Sequence, residues 1–157
     1  KDGVQVHITN TSNLPIEAIE MEYPLLVDEY SLVEDSAGAG RYRGGMGLRR
    51  VITPRHDNCI FNGAGERFRH QPWGLFGGSA GGTGRFLLRS PEKITRLDNK
   101  PDAVKVSPDS SVVIETPGAG GYGPPSERTA DELRADRETG KFSDDYMARH
   151  YGTDDHS

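Results

Sequence analysis

The stretch Gly118-Ala119-Gly120-Gly121-Tyr122-Gly123-Pro124-Pro125 decides how this chain must be read. It offers too few side chains to build a helix or a packed strand, and it lacks the serines of a flexible linker. Glycine accepts the close approach of another backbone, and extended Gly/Pro segments adopt polyproline-II geometry, rising about 3.1 Å per residue without internal hydrogen bonds. Two further clusters have the same character. Five glycines fall between Gly38 and Gly47 and eight between Gly63 and Gly84, so with the four of the first stretch 17 of the 20 glycines are clustered. Each cluster carries rings: Arg41-Tyr42-Arg43-Gly44-Gly45, Pro72-Trp73-Gly74-Leu75-Phe76-Gly77-Gly78, and Tyr122. The pattern predicts three ordered, extended segments lying side by side, with Tyr122 anchoring the last.

Outward from these clusters, strand signals recur at Val4–Ile8, Ile16–Tyr23, Tyr30–Val33, Leu48–Ile52, Phe86–Leu88 and Val112–Glu115. Ile16–Tyr23 also admits a helix, but its alternation of apolar and acidic residues reads as a half-exposed strand ended by Pro24. Asp57-Asn58, Asn62-Gly63, Ser90-Pro91 and Ser107-Pro108-Asp109 mark turns between these runs. Helix is expected only at the end. Thr129-Ala130-Asp131-Glu132 forms a capping box before Leu133, and Ser143 opens a second short helix that Gly152 stops. The expected fold is mainly β, barrel- or sandwich-like, with glycine-rich extended segments and a short C-terminal helical pair. Residues 1–126 form the β domain. Residues 127–157 form a charged segment expected to dock on a neighbour, its last residues from Thr153 frayed.

Composition sets the limits. A chain of 157 residues and 17.2 kDa, 33% apolar, supports one thin core. No run approaches the roughly 18–20 apolar residues of a membrane helix, so no membrane partner is expected. Lys1-Asp2-Gly3 has neither an initiator Met nor a signal stretch, which suggests a processed product or a segment of something longer. A lone Cys59 excludes an internal disulfide and a thiolate zinc cluster, so the chain suits a reducing, cytoplasmic compartment, with Cys59 itself a buried, inert thiol.

Charge is segregated. Residues 1–40 hold one Lys and eight acids, residues 41–89 nine Arg and two acids, and residues 90–157 nine bases and fourteen acids. Acidic first segment and arginine block are expected to neutralise each other, the alternative being a basic face for an anion or an acidic partner. An acidic chain whose rings do not interleave with its arginines is not a nucleic-acid binder.

Taken together, these stretches resemble the C-terminal part of the hydantoinase B family. The matching motifs are His7-Ile8-Thr9-Asn10-Thr11 with Pro15-Ile16-Glu17, Asp35 through Gly47, Glu66-Arg67 with Pro72 through Gly78, and Thr116 through Gly123. That family comprises B-type components of ATP-dependent N-methylhydantoinases, the matching half of 5-oxoprolinase, and related subunits of acetone and acetophenone carboxylases. The resemblance implies a role inside a complex. A partner of the sugar-kinase, Hsp70 and actin type binds ATP and phosphorylates a carbonyl or enol oxygen, and the B-type component helps open the ring or carboxylate the activated species. Family members are several hundred residues long, and their metal-binding His and Asp residues lie in an N-terminal half that this stretch does not contain. The resemblance thus implies that ATP and a divalent metal sit on partner subunits, with no cofactor held by this chain. Partners would be the larger ATP-binding subunits, the N-terminal B-type component and a small carbonyl substrate. The first expectation is a small subunit, or C-terminal portion, of a biotin-independent, ATP-dependent carboxylase acting on a ketone of the acetophenone kind. A fragment of a hydantoinase or 5-oxoprolinase is the alternative within the class, and a stand-alone, non-catalytic binding module the alternative outside it.

No nucleophile–base pair or metal-ligand spacing is legible, and the five histidines lie too far apart for a zinc motif. The candidate pocket or interface residues are therefore few. His7 and Asn10 could face a cavity shared with the rest of the assembly, or simply serve a strand and its turn. Glu66 and Arg67 would brace a loop as a pair, or Arg67 would hold a substrate carboxylate. Trp73 and Phe76 could line a pocket for an aromatic ketone, although at a glycine-rich bend the core is the more common home for such rings. The glycines at 118–123 lack the Lys-Ser/Thr of a phosphate loop, so ATP is expected elsewhere.

Overall fold

The computed structural model describes residue 2 and residues 13–152. The expected strand Val4–Ile8 and the chain end from Thr153 lie outside the described residues. Helix α1 spans Ile16–Glu22. It is followed by strands β1 (Leu25–Leu32), β2 (Leu48–Pro54), β3 (Cys59–Phe61), β4 (Arg85–Arg89), β5 (Ile94–Arg96), β6 (Val104–Val106) and β7 (Ser111–Glu115), then by helices α2 (Ala130–Glu138) and α3 (Asp144–Tyr151). Five strands form one open antiparallel sheet in the order β1-β2-β7-β4-β5, and β3 pairs with β6 in a separate two-stranded ribbon. The fold is mainly β, as expected, but no barrel closes. Its character is that of a sandwich, because side chains of the large sheet (Ile52, Val112, Ile114) and of the ribbon (Cys59, Phe61, Val106) line one shared apolar space of about 160 Å³. Cys59 there is half-buried rather than fully enclosed.

Strand β7 holds the centre. Its continuous run Val112-Val113-Ile114 pairs with β2 on one side and β4 on the other, so both of its edges are bonded and its residues are largely buried. Buried Glu115 ends it, accepting from Arg49 Nε of β2 (2.8 Å) and from Arg85 Nε of β4.

The segment Ile16–Glu22 is helical, not extended. Its apolar residues fall at 16, 18, 19 and 21, a spacing that turns Ile19 alone fully inward, and the Pro15 carbonyl accepts from Ile19 N at 3.1 Å. A helix closes its bonds locally, whereas a strand here would need a partner edge. Glu20 then accepts from Val27 N (2.9 Å), seating the helix on β1.

The glycine clusters run as three extended segments whose hydrogen bonds pass mostly from one segment to the next. Gly38 N donates to Ala119 O (2.8 Å), Ser79 N to Ala39 O (2.7 Å), Gly82 N to Ser36 O (2.7 Å), Gly118 N to Gly82 O (3.1 Å) and Gly121 N to Ser79 O (2.9 Å). At the glycines the separation of the segments leaves no room for a side chain. A Cβ on Gly118 would fall on the Ser36 carbonyl, and one on Gly121 on the Ala39 carbonyl.

Both C-terminal helices carry the expected caps: the Thr129–Glu132 capping box is complete, and Ser143 Oγ accepts from Tyr146 N. They pack on this chain's own glycine bundle. Leu133, Phe142, Tyr146 and Met147 form one buried cluster with Ala37, Ala39 and Met46, and Tyr146 Oη donates to Ala37 O (2.6 Å). A buried charge network fastens α2 to the same bundle. Arg43 donates through Nε to Asp136 (3.0 Å) and through both Nη atoms to Asp2 (2.6 and 3.0 Å), while Arg128 donates to Asp136 at 2.8 and 3.1 Å. Arg41, Arg43 and Arg49 of the arginine block are thus paired from both flanks: Asp2 and Glu29 precede them in sequence, and Glu115, Glu127 and Asp136 follow.

Three outcomes follow for stability. Gly121→Ala should destabilise by roughly 3–5 kcal/mol, because the obstacle is a backbone carbonyl that cannot rotate away. Gly140→Ala, at a left-handed glycine with open space around it, should cost only about 1–2 kcal/mol; equal urea midpoints for the two variants would refute the close-approach account. The Arg43 guanidinium holds the Asp2 carboxyl well below the usual carboxylate range, against an opposing effect of burial. Asp2 therefore adds stability that is complete above roughly pH 4–5, its unfolded range, and is lost as the pH falls through its lower native value. Asp2→Asn should flatten the acid limb of a stability-against-pH curve.

Candidate functional site

The glycine bundle ends in an uncovered aromatic edge. Leu75 N donates to Gly121 O (2.9 Å), and Leu75 O accepts from both Gly78 N and Gly123 N (3.0 Å each), which clamps the turn 75–78 onto the third segment. Phe76 (φ 51°) and Gly77 (φ 93°) occupy its two central positions, both left-handed, as in a type I′ turn. Glycine, Asn or Asp normally fills the first of these positions. A bulky residue held there costs of order 1–3 kcal/mol, and such strain concentrates at functional sites. What the strain achieves is a place for the ring: Phe76 is 75% exposed and lies edge-on to Tyr122 at 5.1 Å, and Tyr42 lies 6.3 Å from the same Tyr122 ring.

Trp73 is also exposed, at 65%. Neither it nor Phe76 is a core plug, contrary to the expectation for rings at a glycine-rich bend. The glycine segments lie too close together for any ring to enter between them, so the rings are forced to the rim. Arg67, another left-handed residue (φ 58°), lays its guanidinium over the Trp73 ring at 4.7 Å. No ion pair joins Arg67 to Glu66; the loop is braced by stacking instead. Glu66 and Arg67 line a shallow cleft of about 250 Å³ with Phe68, His70 and Asn99. Of the expected site residues, then, the fold brings Arg67 and Trp73 into contact, sets Glu66 beside them, and places Phe76 in the same loop against Tyr122. His7 and Asn10 lie outside the described residues.

The bundle offers no phosphate cradle. The amides of Gly118 and Gly121 are already bonded to Gly82 O and Ser79 O, and the would-be Cβ positions of Gly118, Gly120 and Gly121 meet carbonyl oxygens, which repel an anion. Among the described residues no group of three or more His, Cys, Asp or Glu side chains could hold a metal ion. No helix among the described residues is long and apolar enough to cross a membrane.

A family model described as hydantoinase B/oxoprolinase matches residues 1–125, which includes all three glycine segments and the turn that carries Phe76. The chain belongs to the hydantoinase B/oxoprolinase family. It is 31% identical over 153 residues to the B-type component of a putative D-/L-hydantoinase from Pseudomonas sp., covering 96% of this chain and 26% of that protein. Among solved structures, the ATP-dependent caprolactamase of Pseudomonas jessenii shares the fold with a TM-score of 0.79 and 27% identity, over 91% of this chain and 26% of that one. Nucleotide-free acetone carboxylase shares it with a TM-score of 0.74 and 20% identity, over 88% of this chain and 22% of that one. The chain spans between 10% and 26% of the length of the first curated relatives it matches.

Within this hydantoinase B chain, the strained turn is the feature that sequence reasoning missed. Its signal was present, since Leu75-Phe76-Gly77-Gly78 puts glycine at the second left-handed position of the turn. Phe76→Gly should leave chain stability within about 1 kcal/mol of the parent, because relief of backbone strain offsets the loss of one exposed ring contact. Thermal melts test this. A loss well beyond that would show the ring to be a structural support and not a presented surface.

Proposed function

We propose that this chain is the C-terminal part of the B-type component of an ATP-dependent enzyme that opens a cyclic amide, and that its aromatic edge forms one wall of the substrate cavity. The observation that carries this reading is the set of exposed rings, of which Phe76 is held outward at a steric cost. In water those rings gain nothing from exposure, whereas against a neighbouring surface they bury apolar area worth about 25 cal/mol per Å². Trp73 and Phe76 supply an apolar face for the substrate ring. Arg67, held in place by Trp73, offers a guanidinium fork to a carboxylate or a developing oxyanion, with Glu66 on the rim. His7 and Asn10 are assigned to the same cavity from the motif that carries them. ATP and a divalent metal are held by the rest of the assembly, namely the larger ATP-binding subunits and the N-terminal B-type component.

Sequence identity favours amide opening, since the named relatives at 31–38% identity are hydantoinase, 5-oxoprolinase and caprolactamase chains. A second reading, biotin-independent carboxylation of a ketone, draws support from the fold shared with acetone carboxylase, and the exposed rings would suit an aryl ketone such as acetophenone.

The test is reconstitution. Co-expressed with its ATP-binding and N-terminal components, the chain should copurify at fixed stoichiometry, and the assembly should couple ATP hydrolysis to turnover of 5-oxoproline, a hydantoin or caprolactam without bicarbonate. A bicarbonate requirement with ketones would favour the second reading. Trp73→Ala and Arg67→Gln should each lower kcat/KM by about tenfold or more. A soluble 17 kDa monomer that ignores both components would replace this reading with that of a stand-alone binding module.

A further inference from the structure

A second cleft, of about 510 Å³, lies between helix α3 and the glycine bundle. Its floor is already committed. Asp35 accepts from Ser143 N (2.8 Å) and Ser143 Oγ (2.6 Å), and Tyr146 donates to Ala37 O. Asp145 and Arg149 also line it, and both are exposed. They stand four residues apart on α3, yet no ion pair joins them, so each charge stays available to a ligand. His150 stands beside them, its ring tilted over Tyr146 at 4.3 Å. Burial and the neighbouring Arg149 lower its pKa, against an opposing effect of Asp35, so at neutral pH it is an uncharged donor and acceptor. Gln71 adds an exposed amide from the bundle side. Asp145 lies in the first turn of α3 and Arg149 in the last, as the helix dipole favours, but the dipole does not require that they border one cleft.

We infer that this cleft binds a small zwitterion of the amino-acid class, the carboxylate on Arg149 and Gln71 and the ammonium on Asp145. The chemistry follows from the two unpaired charges and the space between them. Only the source of the ligand rests on the reading under Proposed function: hydrolysis of a lactam leaves one carboxylate and one amine on the same molecule, so the assembly's own product has the required form.

The test is an NMR titration of the full 157-residue chain, ¹⁵N-labelled, with 6-aminohexanoate at pH 7.5, with hexanoate and hexylamine as probes that each carry one of the two charges. Shifts confined to Gln71 and residues 143–150, saturating at roughly millimolar ligand and at least about tenfold tighter for the zwitterion than for either control, are expected. Arg149→Gln and Asp145→Asn should each weaken binding by about tenfold, and Arg149→Lys should recover part of it. No saturable shift, equal responses to all three probes, or insensitivity to both substitutions would overturn the assignment. The titration needs neither ATP nor turnover. Binding by a chain whose assembly opens no amide would therefore discard the amide reading and keep this site, and an active assembly without binding would do the reverse.

Discussion

Three backbones approach one another so closely between residues 36 and 123 that a single methyl group at Gly118 or Gly121 would occupy the place of a carbonyl oxygen. Everything else in the structure depends on that spacing. Because glycines line their closest approaches, the segments gain little from hydrophobic burial with one another. They are held by backbone hydrogen bonds passing from segment to segment and by what is packed around them. The sheet closes one flank, through Thr116 N to Leu48 O (2.9 Å) and Val33 N to Gly47 O (2.8 Å). The helical pair closes another.

The helices show how such a bundle is stabilised without a core of its own. Ala37 and Ala39 are almost wholly buried, but their methyl groups are small, so the larger rings of Phe142 and Tyr146 and the Met147 side chain supply the apolar area. The charge network of Arg43, Arg128, Asp2 and Asp136 then fixes orientation. Each buried charge has an opposite partner at hydrogen-bond distance, the condition under which burial of ions is tolerated. Docking of the helices on their own chain leaves the rings of Tyr42, Trp73, Phe76 and Tyr122 uncovered.

The bundle's rim carries the exposed rings. Rings barred from the bundle's interior can only line its edge, and the turn at Phe76 accepts a left-handed backbone to keep one there. The amides of Gly118 and Gly121 are meanwhile engaged in holding the neighbouring segments. The first relatives it matches are about four to ten times longer than the stretch shared with them.

Much of this was legible in the amino-acid order. Glycine clustering announced close packing, because no other residue permits it, and the capping residues Thr129, Glu132 and Ser143 marked helix starts through purely local bonds. The apolar run at Val112–Ile114 was plain as a strand for the same reason, its periodicity being local. The helix at Ile16–Glu22 was misjudged because its short apolar pattern admits both periods, and its seat on β1 through Glu20 and Val27 N is a tertiary contact. Tertiary structure alone decided that Trp73 and Phe76 face outward, that Arg67 stacks on a ring and not against Glu66, and that Asp136 sits between two arginines 93 and 8 residues away in sequence. Local preference is written in nearest neighbours, whereas exclusion from a crowded interior depends on how closely distant segments finally meet.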